Sequence, residues 1–180
     1  MSIMGLSYNL RLIPKRFAYD KYSRLRDIPG SKTVLIAMAW GIVTSVLPRL
    51  SVSGNIHLNT AIIFLWSLSL VFVRTAFFDI LDMQGDRIVG KETIPILLGE
   101  KRVLRLLKTM LAINFGILFV SSAFQLISSL GFVLLICPAF VFIILSAHER
   151  GYMLPGIRLE FLVESNFVMA GVMTLVWSLL

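Results

Sequence analysis

Cysteine, charge and histidine are all scarce in this chain. A lone cysteine, Cys137, lies within an apolar run of the 180 residues, so no intrachain disulfide can form and the redox compartment is left open. Charged residues make up only 15% of the chain, against about 25% in an ordinary soluble domain. Hydrophobic residues reach 57% and the mean hydropathy is +0.87. This balance excludes a disordered chain, a collagen-like fibre and a small disulfide-built secreted scaffold, and it points to an integral membrane protein. The first ten residues, MSIMGLSYNL, carry no basic stretch, apolar core or cleavage site, so no cleavable signal peptide is expected. Internal repeats, low-complexity tracts and flexible linkers are absent too. The economical reading of residues 1–180 is one membrane domain, with a basic cytoplasmic segment at 1–32 and transmembrane helices over 33–180.

What is abundant is long apolar runs. A helix crossing the hydrocarbon core needs about 20 mostly apolar residues. Four stretches qualify: Thr60–Phe78, Val103–Phe124, Leu126–Ala147 and Phe161–Leu180. A fifth, Thr33–Leu47, is shorter and is expected to end at Pro48. The fold class predicted is therefore an all-α membrane protein of about five transmembrane helices.

The formal charge of +7 is distributed unevenly. Seven cations precede the first span: Arg11, Lys15, Arg16, Lys21, Arg24, Arg26 and Lys32. The next gap holds only Arg49, and the gap around Gln125 holds none. The segment from 79 onward carries Arg87, Lys91, Lys101, Arg102, Arg105 and Lys108, and the stretch 148–160 adds Arg150 and Arg158. Cation-rich and cation-poor gaps alternate, as expected for five spans with the N-terminus cytoplasmic and the C-terminus outside. The basic residues thus suit an anionic membrane surface or substrate rather than nucleic acid, and the expected location is the cell's inner membrane.

Of five aspartates, three fall at Asp79, Asp82 and Asp86, directly after an apolar span. On a continuous helix they would lie at about 0°, 300° and 340° around the axis. Three carboxylates so placed repel one another and call for a counter-charge. Magnesium suits them: it takes oxygen ligands and is held by one or two carboxylates together with substrate phosphates. Arg87 and Lys91 follow at once and could meet a diphosphate. Arg74 lies near the end of the preceding span, where a cation needs a partner or a polar cavity. The alternative is a solvated acidic loop at the membrane boundary. A calcium loop is disfavoured, since its ligands alternate at positions 1, 3 and 5 with glycine at 6.

The stretch Arg74–Gly99, RTAFFDILDMQGDRIVGKETIPILLG, closely resembles the second aspartate motif of the UbiA family of intramembrane prenyltransferases. That pattern has an Arg before D-x-x-D-x-x-G-D, then a Gly, a Thr-Leu-Pro-like step and a further Gly; here Ile94 replaces the Leu. Upstream, YSRLRDIPGSK from Tyr22 resembles the family's Y-x-x-x-K element, with Arg26 in place of Lys. The resemblance implies an all-helical enzyme, nine-spanning in the family, that binds a polyprenyl diphosphate through Mg2+ and passes the prenyl group to an aromatic or lipid acceptor. It implies Asp79, Asp82 and Asp86 as metal ligands and catalytic groups. It also implies Arg74, Arg87, Lys91, Tyr22 and Arg26 as diphosphate contacts.

The sequence departs from the family in one respect. The family's first motif, an Asn followed by two spaced aspartates, should precede Tyr22. Before position 79 only Asp20 and Asp27 occur, and neither stands in that frame. The resemblance thus corresponds to the C-terminal five of nine spans and half of the metal site. The expectation is a truncated member, one half of a split enzyme partnered by a missing N-terminal half, or a non-catalytic prenyl-lipid-binding remnant. In each case the chain is expected to be inactive alone. His57 and His148 have no partners at ligand spacing. Trp40, Trp66, Trp177, Asn114, Glu164 and Asn166 fall within spans, where helix packing accounts for them as well as function does.

Overall fold

The computed structural model describes residues 30–153 and 155–180. Helix is the dominant structure of these residues, with no strand among them. Seven helices follow one another. They are α1 (Ser31–Ser53), α2 (Leu58–Leu81), α3 (Met83–Ile88), α4 (Ile94–Leu98), α5 (Glu100–Ala123), α6 (Leu130–Glu149) and α7 (Ile157–Leu179). Five of them, α1, α2, α5, α6 and α7, are long and apolar enough to cross a membrane. At 1.5 Å per residue, the 24 residues of α2 extend about 36 Å, more than the roughly 30 Å hydrocarbon core.

Proline does not end α1 where its sequence suggests. The helix runs on through Pro48 to Ser53 because the preceding turn, Ile42–Val46, opens into π geometry. There the Leu47 N–H reaches back five residues to the Ile42 carbonyl. A wider turn makes room for the pyrrolidine ring and removes the register in which its missing N–H would be needed. In α6 the proline acts differently. Pro138 cannot donate to the carbonyl four residues back, and the ladder breaks at Leu135, leaving Pro138 in the first turn of Ile136–Glu149. The run predicted to begin at Leu126 starts at Leu130 instead, because Gln125 turns into left-handed backbone at φ 56°.

Successive long helices pack side by side, α1 on α2, α2 on α5, α5 on α6 and α6 on α7, with α2 also touching α7. One buried cluster joins four of them. It contains Leu70, Val73, Phe77 and Ile80 of α2, Leu104, Leu107 and Leu111 of α5, Cys137, Val141 and Ile144 of α6, and Leu159 and Val163 of α7. The three- and four-residue steps in each set give each helix one inward stripe. Polar ties supplement the packing: the Asn114 Nδ2 donates to the Trp66 carbonyl at 3.2 Å, and Thr44 Oγ1 to Ser67 Oγ at 3.4 Å. Exposed Val43, Leu50 and Val52 on α1, and Val168, Leu175 and Leu179 on α7, suit a lipid surround.

One end of the bundle gathers the start of α1, the hairpin 82–99, the start of α5 and the end of α6. Gly30, at φ 79°, makes this closure possible, since a Cβ there would sit 2.5 Å from Ile94 Cδ1. His148 is anchored at the same end, its Nδ1 3.0 Å from the Met153 carbonyl oxygen and its ring edge-on to Phe77 at 5.3 Å. Lys108 and Glu149 pair between α5 and α6.

Candidate active site

The acidic hairpin is built by the residues that make its sequence recognisable. Asp79 closes the last turn of α2, and the helix breaks at Asp82 (φ −87°, ψ 2°), whose N–H still donates to the Phe78 carbonyl at 2.9 Å. The chain re-enters a helix at α3, where the Asp86 N–H donates to the Asp82 carbonyl at 3.0 Å, so only a one-residue break interrupts the helical stretch that carries the three carboxylates. Gly90, at φ 73°, ends α3. Its N–H bonds the Arg87 carbonyl, and the Lys91 N–H bonds the Asp86 carbonyl at 3.0 Å, the paired closure that only a left-handed residue permits readily. This turn brings Lys91 back over Asp86, and Lys91 Nζ donates to Asp86 Oδ1 at 2.9 Å. Thr93, Pro95 and Gly99 then form and end α4, whose Pro95 is buried.

Each carboxylate has its own surroundings. Asp79 is half-buried, and its Oδ2 accepts a hydrogen bond from Thr33 Oγ1 of α1 at 3.0 Å. It feels the charges of Asp86, Asp82 and Lys32. Asp82 is exposed, and its side chain accepts no hydrogen bond among the described residues. Asp86 is 8% exposed and is neutralised by Lys91. That hydrogen bond, with the charges of Asp86, Asp82 and Asp79, holds the Lys91 ammonium above the ordinary lysine range. Arg87 is exposed on α3.

Among the described residues no group of three or more His, Cys, Asp or Glu side chains lies close enough to hold a metal ion. Magnesium does not require one. It ordinarily takes one or two protein carboxylates and completes its shell with water and phosphate oxygens. Exposed Asp82 and half-buried Asp79, whose Oδ1 has no hydrogen-bond partner among the described residues, make such a donor set, so the residues present fit the ion.

Arg74 lies apart from this cluster. It sits five residues, about 7.5 Å, deeper along α2 than Asp79. Its Nε donates to Glu164 Oε1 at 2.9 Å, its Nη2 bonds the same oxygen, and the guanidinium stacks on Phe78 at 4.6 Å. Together with Trp40, Val71 and Phe167, this pair lines a cleft of about 210 Å3 between α1, α2 and α7. The structure therefore brings Asp79, Asp82, Asp86 and Lys91 together, keeps Arg87 nearby on α3, and gives the charge of Arg74 to Glu164. Tyr22 and Arg26 lie outside the described residues.

Two residues absent from the sequence-derived set belong to this region. Thr33 carries no motif, and Glu164 stands 90 positions from its partner. The signal available for Glu164 was that an intramembrane arginine requires an anion, and few acidic residues lie within the spans.

The sequence pattern that describes the UbiA prenyltransferase family matches residues 17–152. This chain belongs to the UbiA prenyltransferase family. The match includes Tyr22, Arg26, Arg74 and the whole acidic hairpin, and with five spanning helices it makes the chain an integral membrane protein of prenyltransferase type. No curated protein and no solved structure matches it.

Proposed function

We propose that this UbiA-family chain binds a polyprenyl diphosphate at the acidic hairpin and contributes one wall of a site that transfers the prenyl group to an aromatic or lipid acceptor. The observation carrying this reading is the placement of Asp79, Asp82 and Asp86 with Arg87 and Lys91 at one end of an apolar bundle. Charged groups face a diphosphate there, while the isoprenoid tail can lie along lipid-facing helices. Asp82 and Asp79 would hold Mg2+. When bound, the ion supplies positive charge against the departing diphosphate. Arg87 and Lys91 donate to its outer oxygens and balance the charge that develops as the allylic C–O bond lengthens. Aromatic and aliphatic side chains of α1 and α2 exclude water from the cation left behind. The N-terminus and hairpin lie on the cytoplasmic side of the inner membrane in this reading, as the alternation of cations supports.

A prenyl-lipid-binding protein without turnover is the second reading. It is favoured by the sequence before Asp79, where Asp20 and Asp27 stand in no second aspartate frame. The deciding experiment measures binding of a prenyl diphosphate to the chain in lipid nanodiscs, with and without magnesium. Magnesium-dependent binding should fall at least about tenfold in Asp82→Ala, from loss of a charged ligand contact. Binding unchanged by that substitution would refute the metal assignment. Pyrophosphate release on adding a polypeptide that carries N-x-x-x-D-x-x-x-D then separates enzyme from binder.

A further inference from the structure

The outward side of α5 and α6 carries charge that the bundle does not use. Lys108 and Glu149 pair across the two helices at their hairpin end. Arg105 lies one turn before Lys108 on α5, and Arg150 directly follows Glu149. Glu149 feels the charges of both arginines in addition to that of Lys108. Three cations therefore surround one carboxylate and leave a positive surplus. Arg105 and Arg150 are exposed, and among the described residues neither guanidinium has a hydrogen bond or an ion pair.

Deeper along both helices the same stripes turn apolar. Ala112, Phe115 and Phe119 stand four, seven and eleven residues beyond Lys108 on α5. On α6, Ser146 and Phe142 stand three and seven residues before Glu149. At helical spacing each set continues the line of its paired charge into the hydrocarbon. Small side chains come first, and the exposed rings of Phe115 and Phe142 follow about 10 Å from the ion pair. The result is a shallow furrow that begins at the cations. Phe119 meets Phe132 of α6 edge-on at 5.9 Å and bounds its far end.

The position of this furrow selects its occupant. α5 packs between α2 and α6, and α6 between α5 and α7, so a polypeptide that extends the row of helices meets α1 or α7 instead. The α5–α6 face is left to the bilayer. What fits there is an anion at the interface joined to apolar chains below it, and a phosphodiester lipid has that form. A zwitterionic headgroup brings an ammonium that Arg105 and Arg150 repel. A prenyl diphosphate would find no carboxylate free to share magnesium, because Glu149 is taken by Lys108.

We propose that the furrow between α5 and α6 binds an anionic glycerophospholipid of the hairpin-side leaflet, with its phosphodiester on Arg105 and Arg150 and an acyl chain between Phe115 and Phe142. Lys108 and Glu149 join the two helices beneath the headgroup. The proposal does not depend on the reaction assigned to the acidic hairpin.

The test uses the full chain in phosphatidylcholine nanodiscs doped with a phosphatidylglycerol whose acyl chain carries a photoreactive diazirine. Irradiation should label peptides containing Phe115 and Phe142. A tenfold excess of unlabelled phosphatidylglycerol over the probe, at constant probe fraction, should suppress that labelling about tenfold, whereas inorganic pyrophosphate should not. Arg105→Gln/Arg150→Gln removes two exposed charges and leaves the fold intact, which the unfolding temperature checks. It should lower the labelling about tenfold. Arg158→Gln, which removes an exposed cation outside the cluster, should leave it unchanged. Labelling that survives the double variant, that falls equally in Arg158→Gln, or that excess phosphatidylglycerol does not suppress overturns the site and leaves an ordinary shell of lipid. Suppression by pyrophosphate would overturn the phospholipid as occupant and give the cations to the diphosphate instead.

Discussion

Thr33 Oγ1 donates to Asp79 Oδ2 at 3.0 Å, tying the first turn of α1 to the last turn of α2. Through this bond one carboxylate oxygen is fixed in orientation, while the other accepts no hydrogen bond among the described residues. Thr33→Val keeps the shape and removes the donor. It should lower stability by about 1 kcal/mol and weaken magnesium-dependent prenyl diphosphate binding a few-fold. Thermal unfolding in detergent and titration in nanodiscs measure the two effects.

Lys91 competes with any metal for Asp86. Lys91→Met should therefore tighten magnesium binding measured without substrate, yet weaken prenyl diphosphate binding about tenfold, since a charge-assisted donor to phosphate is lost. Because the partner raises the folded-state value of Lys91, its contribution is complete below the ordinary lysine range and fades only as pH climbs through the raised value. Between about pH 6 and 9 the Lys91 contribution to binding should be flat. A binding isotherm that weakens through that window and loses the dependence in Lys91→Met would contradict the assignment.

Topology can be read by labelling. Ser53 ends α1 at one end of the bundle and Gly85 lies exposed in α3 at the other. Cys137, the native cysteine, is buried and should give no background. Single cysteines at these two positions should react with an impermeant maleimide from opposite faces of the membrane. Reaction of both from one face would remove the five-span arrangement.

The Arg74–Glu164 pair predicts a thermodynamic cycle. Arg74→Leu and Glu164→Leu alone each strand a charge and should cost about 2 kcal/mol, less than for a fully enclosed pair because both side chains are partly accessible. The double substitution should recover most of that loss. Additive losses would mean that the two groups do not interact.

Pyrophosphate release tests competence. The 180-residue chain in lipid, given magnesium, prenyl diphosphates and a panel of aromatic and lipid acceptors, should release none above background. Its hairpin supplies carboxylates from one direction, and removing even one preorganised electrostatic group elsewhere costs about 10²–10³ in rate. Adding a polypeptide that carries N-x-x-x-D-x-x-x-D should restore turnover. Clear turnover by the chain alone would show that the second motif suffices.

How far the sequence could be read depended on whether the deciding interaction was local. Five apolar runs and the D-x-x-D-x-x-G-D pattern are local, and both the helices and the family follow from them. The end of α1 was misplaced because a proline normally stops a helix, and a π turn that absorbs it leaves no compositional mark. The break at Asp82 was equally hidden, for Met83–Ile88 is helical again and its composition does not announce the interruption. The Lys91 pairing was within reach, since Gly90 sets the turn that folds it back. Thr33 with Asp79 and Arg74 with Glu164 are separated by 46 and 90 positions, and only the packing of α1 and α7 against α2 brings them together.

The π turn of α1 also sets a frame for the residues on either side of it. By holding one extra residue in a single turn, Ile42–Val46 shifts everything beyond it by about 100° relative to an unbroken helix. Thr33 is keyed to Asp79 on one side of that insertion, while Thr44, within it, reaches Ser67. Deleting one residue from 42–46 should let the segment wind as an ordinary helix with both halves still facing α2, because the residue removed is the one the wide turn absorbs. The wide turn is therefore what keeps both halves of α1 in register with α2: the same sequence wound as an unbroken helix would turn one half away.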